Sequence, residues 1–233
     1  METCVLCRRR IFPQLRDVPS SFWWIFLWTR TCPTCLDELP YSWAPRPARA
    51  RSTETYQALW ETDSRVCRPS TGLKYVDVGR PVVRKVKFER SRNLDRLWGW
   101  IFSLALEESR ALHPSPKGKV LLVPMASSAF GLWYRGWDPV WEATKTLGVL
   151  RGIPAQRLLR KKQGGSQKSR NRQERVDYRQ DFEFLSRVRI PGDIAEIVLV
   201  DDVITTGSTL DQGARLLRTR FEGSIRPLGL VQD

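Results

Sequence analysis

At 233 residues and 27.0 kDa the chain is long enough for one α/β domain of ordinary size plus a small appendage, and too short for two catalytic domains. Lys and Arg number 39 against 25 Asp and Glu, a formal charge of +14 with an isoelectric point near 10.1. Aromatics at 10% and hydrophobics at 41% exclude disorder throughout. The single histidine, His113, excludes a Ser-His-Asp triad with a spare base, a Cys₂His₂ finger and a His-rich metal enzyme. What chemistry there is must run on carboxylates, hydroxyls, backbone N–H groups, cysteines and arginine.

The first residues hold no basic segment followed by an apolar one, so no signal peptide is expected and the reading is a cytoplasmic protein. Four of the five cysteines form two knuckles, Cys4-x-x-Cys7 and Cys32-x-x-Cys35. Each tight turn presents two sulfurs on one side, so two such turns bring four thiolates to one tetrahedral ion, and structural zinc is expected. The competing redox dithiol normally comes as one C-x-x-C at the start of a helix after a strand, and disulfides are disfavoured without a signal peptide. Cys67 reads as an unpartnered thiol. The spacing of the knuckles suits a ribbon of short strands. Between them, Phe22 to Trp28 is an apolar run far short of the roughly 20 residues a membrane span needs. It is either a small buried core or a contact surface.

Residues 44–55, rich in Pro and Arg, read as a linker closing this module. The expected partition is a zinc ribbon over 1–45, a linker over 46–72 and an α/β domain over 73–233. Asn93 can cap a helix whose Leu94, Leu97, Trp98, Ile101, Leu104 and Ala105 share one stripe. Lys119 to Pro124 predicts a buried parallel strand. Asp138-Pro139 predicts a capped helix to about Gly148. Ile197 to Val200 predicts a second buried strand, followed by a helix from about Thr209 to Arg220 and a closing strand from Ile225 to Val231. Strand and helix alternate, which predicts a parallel sheet with helices on both faces.

The most informative stretch is Ile197-Val198-Leu199-Val200-Asp201-Asp202-Val203-Ile204-Thr205-Thr206-Gly207-Ser208-Thr209. Its β-formers end in two acids at the carboxyl edge of the sheet, where open α/β folds bind ligands. A hydroxyl-rich loop then enters a helix, and backbone N–H groups with the helix N-terminus favour an anion there. Thr205, Thr206, Ser208 and Thr209 add hydroxyl donors, and Gly207 lets the backbone come close. Asp201 and Asp202 are poor phosphate ligands but good acceptors for vicinal sugar hydroxyls, so a ribose phosphate is the ligand suggested. The plainer reading is a strand ending in a polar turn with a capped helix. No P-loop and no G-x-G-x-x-G after a strand is present.

This string is similar to the phosphoribosyl-pyrophosphate (PRPP) signature of type I phosphoribosyltransferases. With the double knuckle, the chain resembles the ComF family of natural-competence proteins. Tyr75 through Lys87-Phe88, Val123-Pro124 with Arg135-Gly136-Trp137-Asp138, and Gln167 and Arg175 before Phe182 resemble further family elements. Asp138 stands where the family usually has Asn, and Tyr178 where Asn follows a loop arginine. Met125-Ala126 replaces a second Val-Pro, and Phe130-Gly131 sits where basic residues are common. The resemblance implies a type I phosphoribosyltransferase-like sheet behind a zinc ribbon. It implies that Asp201 and Asp202, the catalytic carboxylates, hold the ribose 2- and 3-hydroxyls and that Thr205, Thr206, Gly207, Ser208 and Thr209 hold the 5-phosphate. Ala126, Ser127 and Ser128 would form the pyrophosphate loop, with Arg135 as a charge partner, and Mg²⁺ would come with PRPP. It further implies a competence protein that handles single-stranded DNA beside an ATP-driven uptake translocase. An active transferase in nucleotide salvage and a PRPP-gated regulator are the alternatives. No base-specificity half is evident.

From Arg151 to Gln180 ten Lys and Arg face two acids, a net +8 in thirty residues. Arg160, Lys161, Lys162, Lys168, Arg170, Arg172 and Arg175 are the nucleic-acid candidates, with Trp133, Tyr134, Trp137 and Trp141 as stacking platforms nearby. A basic loop beside a phosphate site would equally serve closure over pyrophosphate. The bland alternatives are a solvated charge run and, for Trp137 and Trp141, a shared core face. Arg80, Arg84, Lys85, Lys87, Arg90 and Arg92 form a second basic cluster.

Overall fold

The computed structural model of the chain describes residues 3–11, 23–36, 57–74, 82–85, 94–162 and 181–232. Its strands are β1 (Ser70–Lys74), β2 (Lys119–Pro124), β3 (Leu159–Lys161), β4 (Phe182–Phe184), β5 (Ile194–Ile204) and β6 (Ser224–Gln232). Four of them make one sheet in the order β1-β6-β5-β2, every neighbouring pair parallel. β3 and β4 form a separate antiparallel pair whose ends, Lys161 and Phe182, face each other. The outer edge of β2 is not bare. Leu122 accepts from the N–H of Gln156 and donates to the carbonyl of Pro154, both at 2.9 Å, so this crossing segment occupies the edge on its way to β3.

The helices whose ends are both described are α1 (Trp23–Thr29), α2 (Leu59–Thr62), α3 (Asp95–Leu112), α4 (Ala129–Arg135), α5 (Pro139–Arg151) and α6 (Ser208–Arg218). Leu97, Trp98 and Ile101 of α3 and Val140, Ala143 and Leu147 of α5 pack with Leu122, Val198, Val200, Leu228 and Leu230 in one core. Leu210, Ala214 and Leu217 of α6 and Trp60 of α2 pack with Leu121, Val123, Ile197 and Leu199 in the other. Successive strand residues thus go to opposite cores, which is why the central strands read as unbroken apolar runs. The expectation of a parallel sheet with helices on both faces holds.

Local signals set several boundaries as expected. The Asp138 carboxylate accepts from the Trp141 N–H at 3.3 Å and Pro139 is the first helical residue of α5. That helix runs past the expected stop at Gly148 to Arg151, where Gly152 takes the left-handed position at φ 62°. Asn93 lies outside the described residues, and α3 starts behind Leu94 with no side-chain cap.

Of the span 46–72 expected as linker, residues 46–56 lie outside the described residues. Within 57–72, Ala58, Trp60 and Val66 are buried against α6 and β6, and Ser70 begins β1. The aromatic run between the knuckles forms α1, with Thr29 Oγ1 donating back to the carbonyl of Ile25 at 2.6 Å. Among its described side chains Phe26 is buried in one core with Cys4, Cys32 and Cys35. No described helix is long and apolar enough to cross a membrane.

Candidate functional site

The acid pair sits on β5 beyond the end of β2. Pro124 is paired with Val200, and the Met125 N–H makes the last bond between the two strands, to the Val200 carbonyl at 2.7 Å. Asp201 and Asp202 follow at once on β5, while 126–128 turn away from β2. The acid pair and the expected pyrophosphate loop therefore lie at the same edge of the sheet, on or just past neighbouring parallel strands. Asp202 donates its backbone N–H to the Asp201 carboxylate at 2.9 Å, which settles a donor that the ladder would otherwise take.

Past Ile204 the chain turns through Thr205, Thr206 and Gly207 into α6. Gly207 is the N-cap residue, at φ 77° and ψ −2°. The Ser208 N–H donates to Thr206 Oγ1 at 3.3 Å, and the two hydroxyls lie 3.1 Å apart. Thr206 thus ties the turn to the first residue of α6 through both the N–H and the hydroxyl of Ser208. Behind the turn stands Trp60, which the sequence reading missed. A Cβ on Gly207 would lie 2.9 Å from its indole edge. The α2 segment is tied on by the Leu59 N–H bonding the buried Asp211 carboxylate and by Arg215, which donates to Asp211 at 2.7 Å and to the Gln57 carbonyl at 2.6 Å.

The loop after β2 is held from the other side. Ser127 Oγ donates to Asp138 Oδ1 at 2.9 Å, and Arg157 donates to Asp138 Oδ2 at 3.2 Å. Asp138 is buried and joins loop, α5 and the approach to β3. Ser128 Oγ accepts from the Gly131 N–H at 3.0 Å and caps α4. A Cβ at Gly131 would meet the Arg135 guanidinium at 2.9 Å, so Arg135 folds back toward Ser128. A cavity of about 740 Å³ opens here, lined among others by Ala126, Ser127, Asp138, Arg157, Arg160, Lys161, Lys162 and Glu183. The Asp201–Thr209 turn does not line this cavity.

At the N-terminus the Sγ atoms of Cys4, Cys7, Cys32 and Cys35 lie within 4.8 Å of one another, with Cys7 and Cys32 at 3.6 Å. A tetrahedral zinc with bonds of about 2.3 Å separates its sulfurs by about 3.8 Å, so the donor set fits. The cluster could bind a metal, consistent with structural zinc. Arg8 and Arg30, at φ 65° and 54°, turn the chain beside the two knuckles. A hydrogen bond from Cys35 holds the Cys4 thiol down at about 4, while burial pushes Cys32 up to about 11. Cys35 is pushed up by its bond to Cys4. The Cys4 thiolate forms readily while Cys32 and Cys35 resist, as expected of sulfurs crowded without a cation. Cys67, half-buried, is raised chiefly by burial.

Of the nucleic-acid candidates, Arg160, Lys161 and Lys162 line the cavity wall, and Lys168, Arg170, Arg172 and Arg175 lie outside the described residues. So do Gln167 and Tyr178, and Arg80, Lys87, Arg90 and Arg92 of the second cluster. The four aromatic candidates divide. Trp137 packs against the α3–α5 core with its indole nitrogen buried, and Trp141 lies under the Arg157 guanidinium at 4.8 Å. Trp133 and Tyr134 face solvent together with Phe130, which was not among the stacking candidates. His113 acts through its backbone, accepting from Arg226 at 2.6 Å.

No protein-family model matches the chain. It is 25% identical over 160 residues to Competence protein F of Haemophilus influenzae, which covers 68% of this chain and 69% of that protein. Among solved structures it is similar to the adenine phosphoribosyltransferase of Saccharomyces cerevisiae, at 16% identity and TM-score 0.40 over 86% of this chain and 89% of that one. The corresponding enzyme of Thermoanaerobacter pseudethanolicus is 15% identical, at TM-score 0.37 over 85% and 99% of the two chains.

Proposed function

We propose that this chain, ComF-like with a phosphoribosyltransferase-type α/β sheet, binds PRPP or a ribose 5-phosphate group at the β5–α6 turn and single-stranded DNA beside it. It would act in the cytoplasm in DNA uptake, with an ATP-driven translocase as a partner. The observation that carries this reading is the shared edge: Asp201 and Asp202 on β5, the turn 205–209 into α6, and the loop 126–128 leaving the adjacent strand.

In this reading the two carboxylates accept the vicinal hydroxyls of the ribose. The N–H groups of the turn and the hydroxyls of Thr205, Thr206, Ser208 and Thr209 take the 5-phosphate. Ser127 and Ser128 face the pyrophosphate, with Arg135 folded toward them. Mg²⁺, where PRPP is the ligand, supplies charge neutralisation on that pyrophosphate. None of these roles needs a histidine. Arg160, Lys161, Lys162 and the basic stretch beyond them neutralise a polynucleotide backbone.

Asp201→Ala with Asp202→Ala removes two charge-assisted contacts, each worth roughly 1.5–3 kcal/mol, so PRPP affinity should fall at least about 100-fold. Calorimetric titration with Mg-PRPP reads this, with circular dichroism confirming the fold. An unchanged affinity in the double variant refutes the site. Pyrophosphate release from PRPP with a panel of bases separates an active transferase from a binding protein.

A further inference from the structure

Three aromatic side chains of α4 stand in solvent: Phe130 is 72% exposed, Trp133 78% and Tyr134 41%. They occupy positions i, i+3 and i+4 and so share one stripe of the helix. Such a stripe ordinarily faces a core. Here the core side of the helix is taken by the buried Gly131, and Ala129 and Leu132 line the cavity. The Phe130 and Tyr134 rings lie 6.2 Å apart and 16° from parallel, and the Trp133 ring is 6.0 Å from Phe130. The same helix borders the cavity that Arg157, Arg160, Lys161 and Lys162 also line, with Arg157 paired to Asp138 and Arg160 to Glu183.

We infer that this face of α4 is a base-stacking platform for a single-stranded polynucleotide, whose phosphates run along the cationic wall of the cavity. The inference rests on the nucleic-acid reading proposed above and gives it a surface. A partner for this face must offer flat apolar groups and negative charge in close alternation. Single-stranded nucleic acid does so at every nucleotide, and stacking on aromatic faces tolerates any base. A protein partner fits less well. Three rings of 150–250 Å² each supply about 450–750 Å² at most, below the roughly 800 Å² per partner of a standard interface. Of the four tryptophans and tyrosines that the sequence placed near the basic stretch, burial removes Trp137 and the Arg157 guanidinium covers a face of Trp141. Phe130 takes their place.

The test is fluorescence anisotropy with two labelled strands of about 20 nucleotides, oligothymidylate and an abasic strand with the same phosphates, at about 50 and 200 mM salt. Phe130→Ala with Trp133→Ala should weaken oligothymidylate binding about 10-fold or more, leave the abasic strand unchanged and preserve the salt slope. Trp133→Phe, which keeps a π-face, should recover most of the loss seen in Trp133→Ala. Lys161→Ala with Lys162→Ala should weaken both strands and flatten the slope. A folded double aromatic variant that binds oligothymidylate within two-fold of the parent overturns the platform alone. So does one whose DNA binding is unchanged while a parental dimer becomes a monomer in sedimentation. A parent chain that binds neither strand at low salt overturns the platform and the nucleic-acid reading together.

Discussion

Gly207 carries two constraints at once. Its φ of 77° is open to glycine and costs other residues roughly 1–2 kcal/mol, and a Cβ there would press on Trp60 at 2.9 Å. Gly207→Ala should therefore destabilise the chain by about 1–3 kcal/mol in denaturant melts and weaken ribose-phosphate binding. The atoms in the way are Cη2 and Cζ2 of the indole, which phenylalanine lacks. In a Trp60→Phe background the glycine substitution should cost less, with the backbone share left over. Equal costs in both backgrounds would mean that Trp60 does not hold the turn. A second buried residue works at the far end of the sheet. Arg226 is fully buried and donates to Glu196 at 2.9 Å, to the carbonyl and hydroxyl of Ser109, each at 2.9 Å, and to the His113 carbonyl. One cation of the chain's large excess thus serves the core rather than a ligand.

At the scale of elements, the segment from Gln57 to Cys67 acts as a strap across α6 and the start of β6. Asp63 holds its turn. It accepts from Arg65 at 3.1 Å and from Arg218 of α6 at 3.1 Å, and Arg65 reaches Glu222 at 2.7 Å. The hydrogen bond from Arg65, with Arg218 beside it, keeps the Asp63 carboxyl below its ordinary 3.8. A carboxyl depressed in the folded state stabilises above its unfolded value, and that contribution disappears as pH falls through the lower folded value. Asp63→Asn should therefore melt below the parent from neutral pH down to about 4, and the two curves should converge below the ordinary value of 3.8. A constant offset at all pH values would assign the effect to packing instead.

The strap also shows what the sequence could and could not disclose. β2, the Ile197–Val200 run and the Asp138-Pro139 start of α5 were legible because apolar runs and caps are local signals. The strap was not, since Leu59 finds its partner 152 residues away on Asp211. Trp60, the residue behind the 205–207 turn, was lost with it. α4 did carry local marks, with Ser128 capping its start and Gly136 at φ 71° ending it. Its stripe was hard to place because no core claims it. Asp201, Asp202 and Gly207 were readable as a string, whereas the Ser127–Asp138–Arg157 tie joins three separate segments.

Across the whole molecule, the cysteine cluster is not a detached appendage. Cys4, Ile11, Phe26, Cys32, Cys35 and Leu36 belong to the same continuous core as Leu94, Leu97, Trp98 and Ile101 of α3. That helix spans 18 residues and carries Ser109, the acceptor of Arg226, near its other end. Metal binding to four thiolates is linked to folding, because the unfolded chain has no preformed site. Loss of the ion should thus be felt along α3 and in the sheet. One zinc per chain is expected by elemental analysis, and a strong chelator or Cys32→Ser should lower the single melting transition. Each kcal/mol lost moves the midpoint of a chain this size by about 2–4 °C. Acid should act in the same direction as the chelator, since protonated thiols release the metal. Absence of metal in cleanly purified protein would contradict the site. A chelator that melts α1 while leaving the transition of the sheet in place would contradict the coupling through α3, even with zinc bound.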